Sequence, residues 1–145
     1  MLQIIDKSTY VPNENIFIEW INKISQYIEI KQDSLTIRVV SAEESQALNQ
    51  QFRQIDKPTN VLSFPADLPD FIEAPYLGDI VICATIIEQE AKAQNKGVDD
   101  HWAHMLVHGV LHLKGYDHIS DDEAEQMEAL EIKLLKQINV ANPYA

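Results

Sequence analysis

Residues 101–118 read HWAHMLVHGVLHLKGYDH and hold all five histidines of the chain. On a helix turning about 100° per residue, His101, His104, His108 and His112 fall within an arc of roughly 80°. Trp102, Leu106, Val107, Val110, Leu111 and Leu113 cover most of the remaining circumference. The pattern predicts a helix from about Val98 to Lys114, buried nearly all round except along one line of imidazoles. Gly115 stops it, because glycine takes the left-handed conformation that ends helices. A buried polar stripe needs partners, and a metal ion supplies them.

The chain on either side supplies the layers that bury such a helix. Residues 2–6 (LQIID) are a short β-prone run. Pro12 and Asn13 open a helix with the apolar stripe Phe17, Trp20, Ile21, Ile24, Tyr27 and Ile28. Leu35, Ile37 and Val39 alternate as in a half-buried strand. Ser41 with Glu44 makes a capping box for a helix running to about Arg53. Residues 59–64 (TNVLSF) form a short strand closed by Pro65, and residues 67–76 an irregular loop. Residues 77–83 (LGDIVIC) are nearly continuously apolar, as a central strand covered on both faces should be. Thr85 with Glu88 is expected to cap a helix ended by Gly97. Ser120 with Glu123 caps the last one, whose stripe is Met127, Leu130, Leu134 and Ile138. The expected fold is α+β: a single domain over residues 1–145, with a small mixed, mainly parallel four-stranded sheet and about five helices.

His108 and His112, at i and i+4, stack on one helix face with rings able to converge on one ion. The turn at Gly115 brings His118 back to the same point. The spacing H-x3-H-x2-G-x2-H is the skeleton of the metzincin zinc site, H-E-x-x-H-x-x-G-x-x-H. The glutamate that serves those proteases as general base is Gly109 here. A zincin-like site at a buried helix is therefore expected, with the ligand scaffold present and the protease base absent. Three imidazoles favour one Zn2+ per chain, with a fourth position open as in catalytic sites. His104 reads as a supporting or packing residue, His101 as a solvated residue at the helix start. Asp117 reads as either an acceptor orienting a ring or a plain turn residue.

Composition narrows the function classes. The chain has 145 residues, 46% hydrophobic and 23% charged, as in soluble globular proteins. No apolar run approaches the ~18 residues that span a bilayer. The opening MLQIIDKSTY does not read as a signal peptide, so the expectation is a cytoplasmic protein without membrane contact. One cysteine, Cys83, cannot form an internal disulfide and reads as a small buried hydrophobe. A net charge of −12 argues against non-specific nucleic-acid binding by the whole surface, though not against a local basic patch. Six of the 23 acids lie between Asp121 and Glu131, giving the last helix an acidic outer face.

The segment His108–His118, HGVLHLKGYDH, resembles the YbeY family of bacterial endoribonucleases at every fixed position of the signature H-G-x-L-H-L-x-G-Y-D-H. A second block resembles the family's middle: Leu48-Asn49, Phe52-Arg53, Asp56 and Pro58 to Pro65. Leu77-Gly78-Asp79-Ile80 is a third. The resemblance implies that His108, His112 and His118 are zinc ligands and that Arg53 is the catalytic arginine of the cleft. Independently of it, a guanidinium recognises phosphate in a bidentate manner and stabilises charge developing there. Asn60 and Ser63 either line the cleft or are ordinary edge-strand residues, and Lys57 and Lys114 are either phosphate contacts or, more simply, solvated lysines that border the cleft. The resemblance implies a zinc-dependent, single-strand-specific endoribonuclease in maturation of the 16S 3′ end and in ribosome quality control. It implies contact with ribosomal RNA, the small ribosomal subunit, a small-subunit ribosomal protein and the Era GTPase. Two alternatives stand beside it, a metalloprotease-like hydrolase and a ribosome assembly factor with a structural metal.

Overall fold

A computed structural model describes residues 2–66 and 76–144; the loop expected over residues 67–76 lies outside them but for Tyr76. The first strand, β1, is Leu2–Ile4. Helix α1, Glu14–Ile24, starts where the Asn13 side chain accepts from the Asn15 amide. It stops earlier than its stripe implies. Ser25 ends it with its hydroxyl on Asn22 O, which leaves Tyr27 beyond the helix and exposed. A short 3-10 turn precedes β2, Leu35–Val40. Helix α2, Ala42–Arg53, begins at Ser41 with the expected cap, Ser41 Oγ accepting from Glu44 N. Strands β3, Val61–Pro65, and β4, Gly78–Cys83, follow.

Helix α3, Ala84–Ala93, departs from expectation at both ends. β4 runs into it with no residue between, so Cys83 occupies the cap position and Thr85 lies inside the first turn. The Thr85 hydroxyl meets Thr9 Oγ1 at 3.2 Å rather than capping the helix with Glu88. Nor does Gly97 end α3. Asn95 takes the left-handed turn at φ 53°, and Gly97 instead precedes α4, Val98–Leu113. Gly115, at φ 96°, turns the chain after α4 as expected. Helix α5, Asp121–Gln137, is capped by Ser120, whose oxygen accepts from Glu123 N. The described residues thus give five α-helices and four strands.

The sheet order is β1-β2-β4-β3. β1 with β2 and β2 with β4 are parallel, whereas β3 joins β4 antiparallel. The mixed, mainly parallel sheet is as expected, with β4 in the interior. Ile37, Val39, Ile80 and Ile82 point to one face, where α1, α3, α4 and α5 bury them in the main core. Val40, Leu62 and Val81 point to the other, packed by Leu48 of α2. Cys83 is buried, as expected. Among the described residues no helix is long and apolar enough to cross a membrane.

One contact sets how closely α4 lies on the sheet. A Cβ on Gly109 would stand 2.9 Å from Ile80 Cγ2 and 3.2 Å from its Cδ1. Alanine for glycine in an open helix interior gains about 1 kcal/mol. Here overpacking of a rigid core should cost about 1–3 kcal/mol. Gly109→Ala is therefore expected to lower stability, read as a fall in the urea midpoint at constant slope. A raised midpoint would mean that α4 can lift from β4 without loss.

Candidate metal centre and its cleft

Helix α4 carries His108 and His112 one turn apart, and the Gly115 turn returns His118 towards them. One ring nitrogen from each of the three lies within 4.8 Å of the others. His108 Nε2 and His112 Nε2 are 3.0 Å apart. Tetrahedral ligands at zinc–nitrogen distances stand about 3.4 Å from one another, so this spacing suits one such ion after small ring movements. Burial, then the neighbouring His108 and His118, lower the His112 pKa below the ordinary imidazole value. The ring is then neutral near pH 7, with a lone pair to offer. Asp117 Oδ1 accepts from the His118 backbone N–H at 2.8 Å but lies 3.8 Å from the ring Nδ1. It shapes the turn and makes no hydrogen bond to the ring.

The other two histidines face carboxylates. His104 Nε2 donates to Glu131 Oε2 at 2.7 Å, and His108 Nδ1 donates to Glu131 Oε1 at 3.2 Å. The Tyr144 hydroxyl adds a third donor to Glu131 Oε2 at 3.1 Å. Glu131 is 1% exposed, on the same α5 face as Met127 and Leu134. The acidic outer face expected between Asp121 and Glu131 therefore ends short of Glu131. Burial alone would raise the Glu131 pKa, but the bonds from His104 and His108 outweigh it and bring it down to about 2. His101 is not solvated as expected but 2% exposed, with Nε2 donating to Glu90 Oε1 at 2.9 Å. α3 packs on the start of α4 and brings Glu90 there, a partner that helical periodicity alone does not reveal.

The triad opens into a cleft of about 630 Å3 between the end of α4 and β3, bordered also by Arg53 and Asp117. Asn60 and Ser63 line it, but both are engaged in the fold. Asn60 Nδ2 donates to Glu90 Oε1 at 3.0 Å, and its Oδ1 accepts from Val61 N. Ser63 Oγ donates to Gly109 O at 3.1 Å, tying β3 to α4. Of the three expected cations only Arg53 reaches the cleft. Lys57 is exposed outside its lining, and Lys114 donates to Glu29 O at 2.9 Å. Lys114 projects from the end of α4 towards the chain after α1, and its position in sequence beside the histidines did not reveal that direction.

Arg53 reaches over the free side of β3. Asn60 O accepts from Cys83 N and Leu77 O from Ala66 N, so the even-numbered residues of β3 turn their main-chain groups to β4. Val61, Ser63 and Pro65 turn theirs outward. Arg53 Nη2 donates to Ser63 O at 3.2 Å and Nη1 to Phe52 O at 3.1 Å, with the guanidinium 5.7 Å from the Phe64 ring centre.

Comparison with known proteins agrees with this architecture. Residues 3–139 match the family described as Endoribonuclease YbeY. An Endoribonuclease YbeY of Colwellia psychrerythraea is 47% identical over 146 residues, covering 99% of this chain and 94% of that one. A Thermotoga maritima protein solved in solution is similar at a TM-score of 0.59 and 28% identity, covering 95% of this chain and 89% of that one.

Because its folded pKa is depressed, Glu131 contributes stability that is present above its ordinary value of 4.5 and lost as pH falls towards about 2. The ion-free chain should therefore lose stability across that window. The Glu131→Gln chain should be less stable near pH 6 but flatter below pH 4.5. Parallel acid limbs in urea titrations of the two chains would remove the depressed carboxyl.

Proposed function

The chain belongs to the YbeY family of endoribonucleases, and on that premise we propose a zinc-dependent, single-strand-specific enzyme that cuts ribosomal RNA during maturation of the 16S 3′ end. The observation that carries the reading is three ring nitrogens within 4.8 Å of one another, open to a cleft that Arg53 also borders. His108, His112 and His118 would hold the ion. When bound, zinc supplies Lewis acidity, lowering the pKa of water towards neutrality and polarising the oxygen it touches. The protein's part is positioning and charge. Arg53 is the cation of the cleft lining, and its planar fork matches a phosphate. The triad and the Arg53 guanidinium border one space, where a phosphodiester can be held while negative charge builds on it.

The protease-like alternative meets a steric obstacle. Its base would have to stand at position 109, where even a Cβ runs into Ile80. Action on the small subunit in the cytoplasm, with a ribosomal protein and the Era GTPase as partners, is proposed on the family's implication.

Cleavage of single-stranded and of fully paired RNA by the purified chain, with and without a chelator, tests the reading. Single strands should be cut, paired RNA spared, and the chelator should abolish cutting. His112→Ala should lose ion and activity together. Arg53→Glu should keep the ion yet lose about 10²–10³-fold in rate, as removal of one preorganised donor typically does. Arg53→Lys should recover part of it. Intact RNA beside metal-dependent peptide cleavage would overturn the assignment. Near-normal rates for Arg53→Glu at matched metal content would remove Arg53 from the chemistry.

A further inference from the structure

We propose that Glu131 is a positioning residue for the metal centre, which fixes the His108 ring with its Nε2 towards the ion, while His104 and Tyr144 lock the carboxylate in place. The inference rests on the triad holding an ion, the reading proposed above. His108 has one ring nitrogen 3.0 Å from His112 Nε2 and the other 3.2 Å from Glu131 Oε1. Glu131, as an acceptor, holds the proton on Nδ1 and so leaves the lone pair on Nε2. It is also a costly occupant of its place. The α5 stripe runs Met127, Glu131, Leu134, and a leucine at the middle position would need no partners. Three donors meet the carboxylate, two from α4 and one from Tyr144, beyond the end of α5.

His104 shows which part of this arrangement serves the centre. Its Nε2 is bonded to the same carboxylate, yet its ring centre lies 6.4 Å from that of His108 and it is not one of the three convergent ligands. Its position on Oε2, shared with Tyr144, stops the carboxylate from rotating away from His108. A metal site on α4 and its following turn thereby depends on a side chain of α5. Metal-binding imidazoles commonly donate their second N–H to such a carboxylate, and losing it costs about 10–100-fold in affinity.

The test reads ring and ion separately. Nitrogen NMR of the 15N-histidine-labelled, ion-free chain should show His108 protonated on Nδ1. Glu131→Leu should move the proton towards Nε2 and weaken Zn2+ binding, measured against a chromophoric chelator, by about 10–100-fold. Glu131→Gln, whose amide oxygen can still accept from Nδ1, should recover most of that loss. If Glu131→Leu does not fold, Glu131→Asp replaces it, keeping the charge but withdrawing the oxygen from His108; the same losses are expected. Zn2+ affinity within about threefold of the unaltered chain in a folded Leu or Asp variant, or an unchanged His108 tautomer, would overturn the proposal. Absence of Zn2+ binding by the unaltered chain would sink the metal reading instead. The His108 tautomer in the ion-free chain would still decide the role of Glu131.

Discussion

The burial of α4 depends on two carboxylates supplied by other helices. A helix enclosed between a sheet and two neighbouring helices carries imidazoles inward more cheaply when they find partners, because an unpaired buried polar group costs about 1–3 kcal/mol. Glu90 of α3 receives His101, and Glu131 of α5 receives His104 and His108. Burial opposes the charge on each acid, yet both carboxyls stay below the ordinary value because the imidazoles answer them. From the middle of α4 to its end the stripe passes into the cleft. There the Nε2 atoms of His108 and His112, half-buried, face each other 3.0 Å apart at the cleft.

The sequence makes the α4 line of imidazoles legible because helical periodicity and local spacing define it. His108, His112 and His118 lie within eleven residues, and one turn at Gly115 suffices to join them. The sheet is legible for a similar reason: Ile80, Val81 and Ile82 lie in a nearly continuous apolar run, as expected of a strand covered on both faces. What stayed hidden needs a partner from a distant segment. Nothing near His101 announces Glu90, and Lys114 points away from the cleft although its neighbours in sequence line it. One signal was available for Glu131, an acid in phase with Met127 and Leu134 on an otherwise apolar stripe. Read as one of six clustered acids, it looks like solvated surface; read by phase, it looks like a buried partner awaiting a donor.

The distribution of charge follows from the same geometry. A chain of net charge −12 can accept a polyanion only where its acids are absent or neutralised. Glu131 and Glu90 are turned inward onto histidines, and the described cleft lining carries Arg53 with Asp117 as its one carboxylate. Asp117 faces its own backbone turn. The acidic surface of α5 is thus separated from the site, although α5 contributes to it from behind.

The outward side of β3 has a consequence for what can lie in the cleft. Val61 N is taken by the Asn60 side chain, Ser63 O by Arg53, and Pro65 has no N–H to give. Such a border offers a passing strand few places to pair, as sheets do when they guard against sticking to one another. It leaves a second copy of the chain or an extended polypeptide less main chain to pair with. A sugar–phosphate chain, which needs no ladder of amides, loses nothing by that refusal.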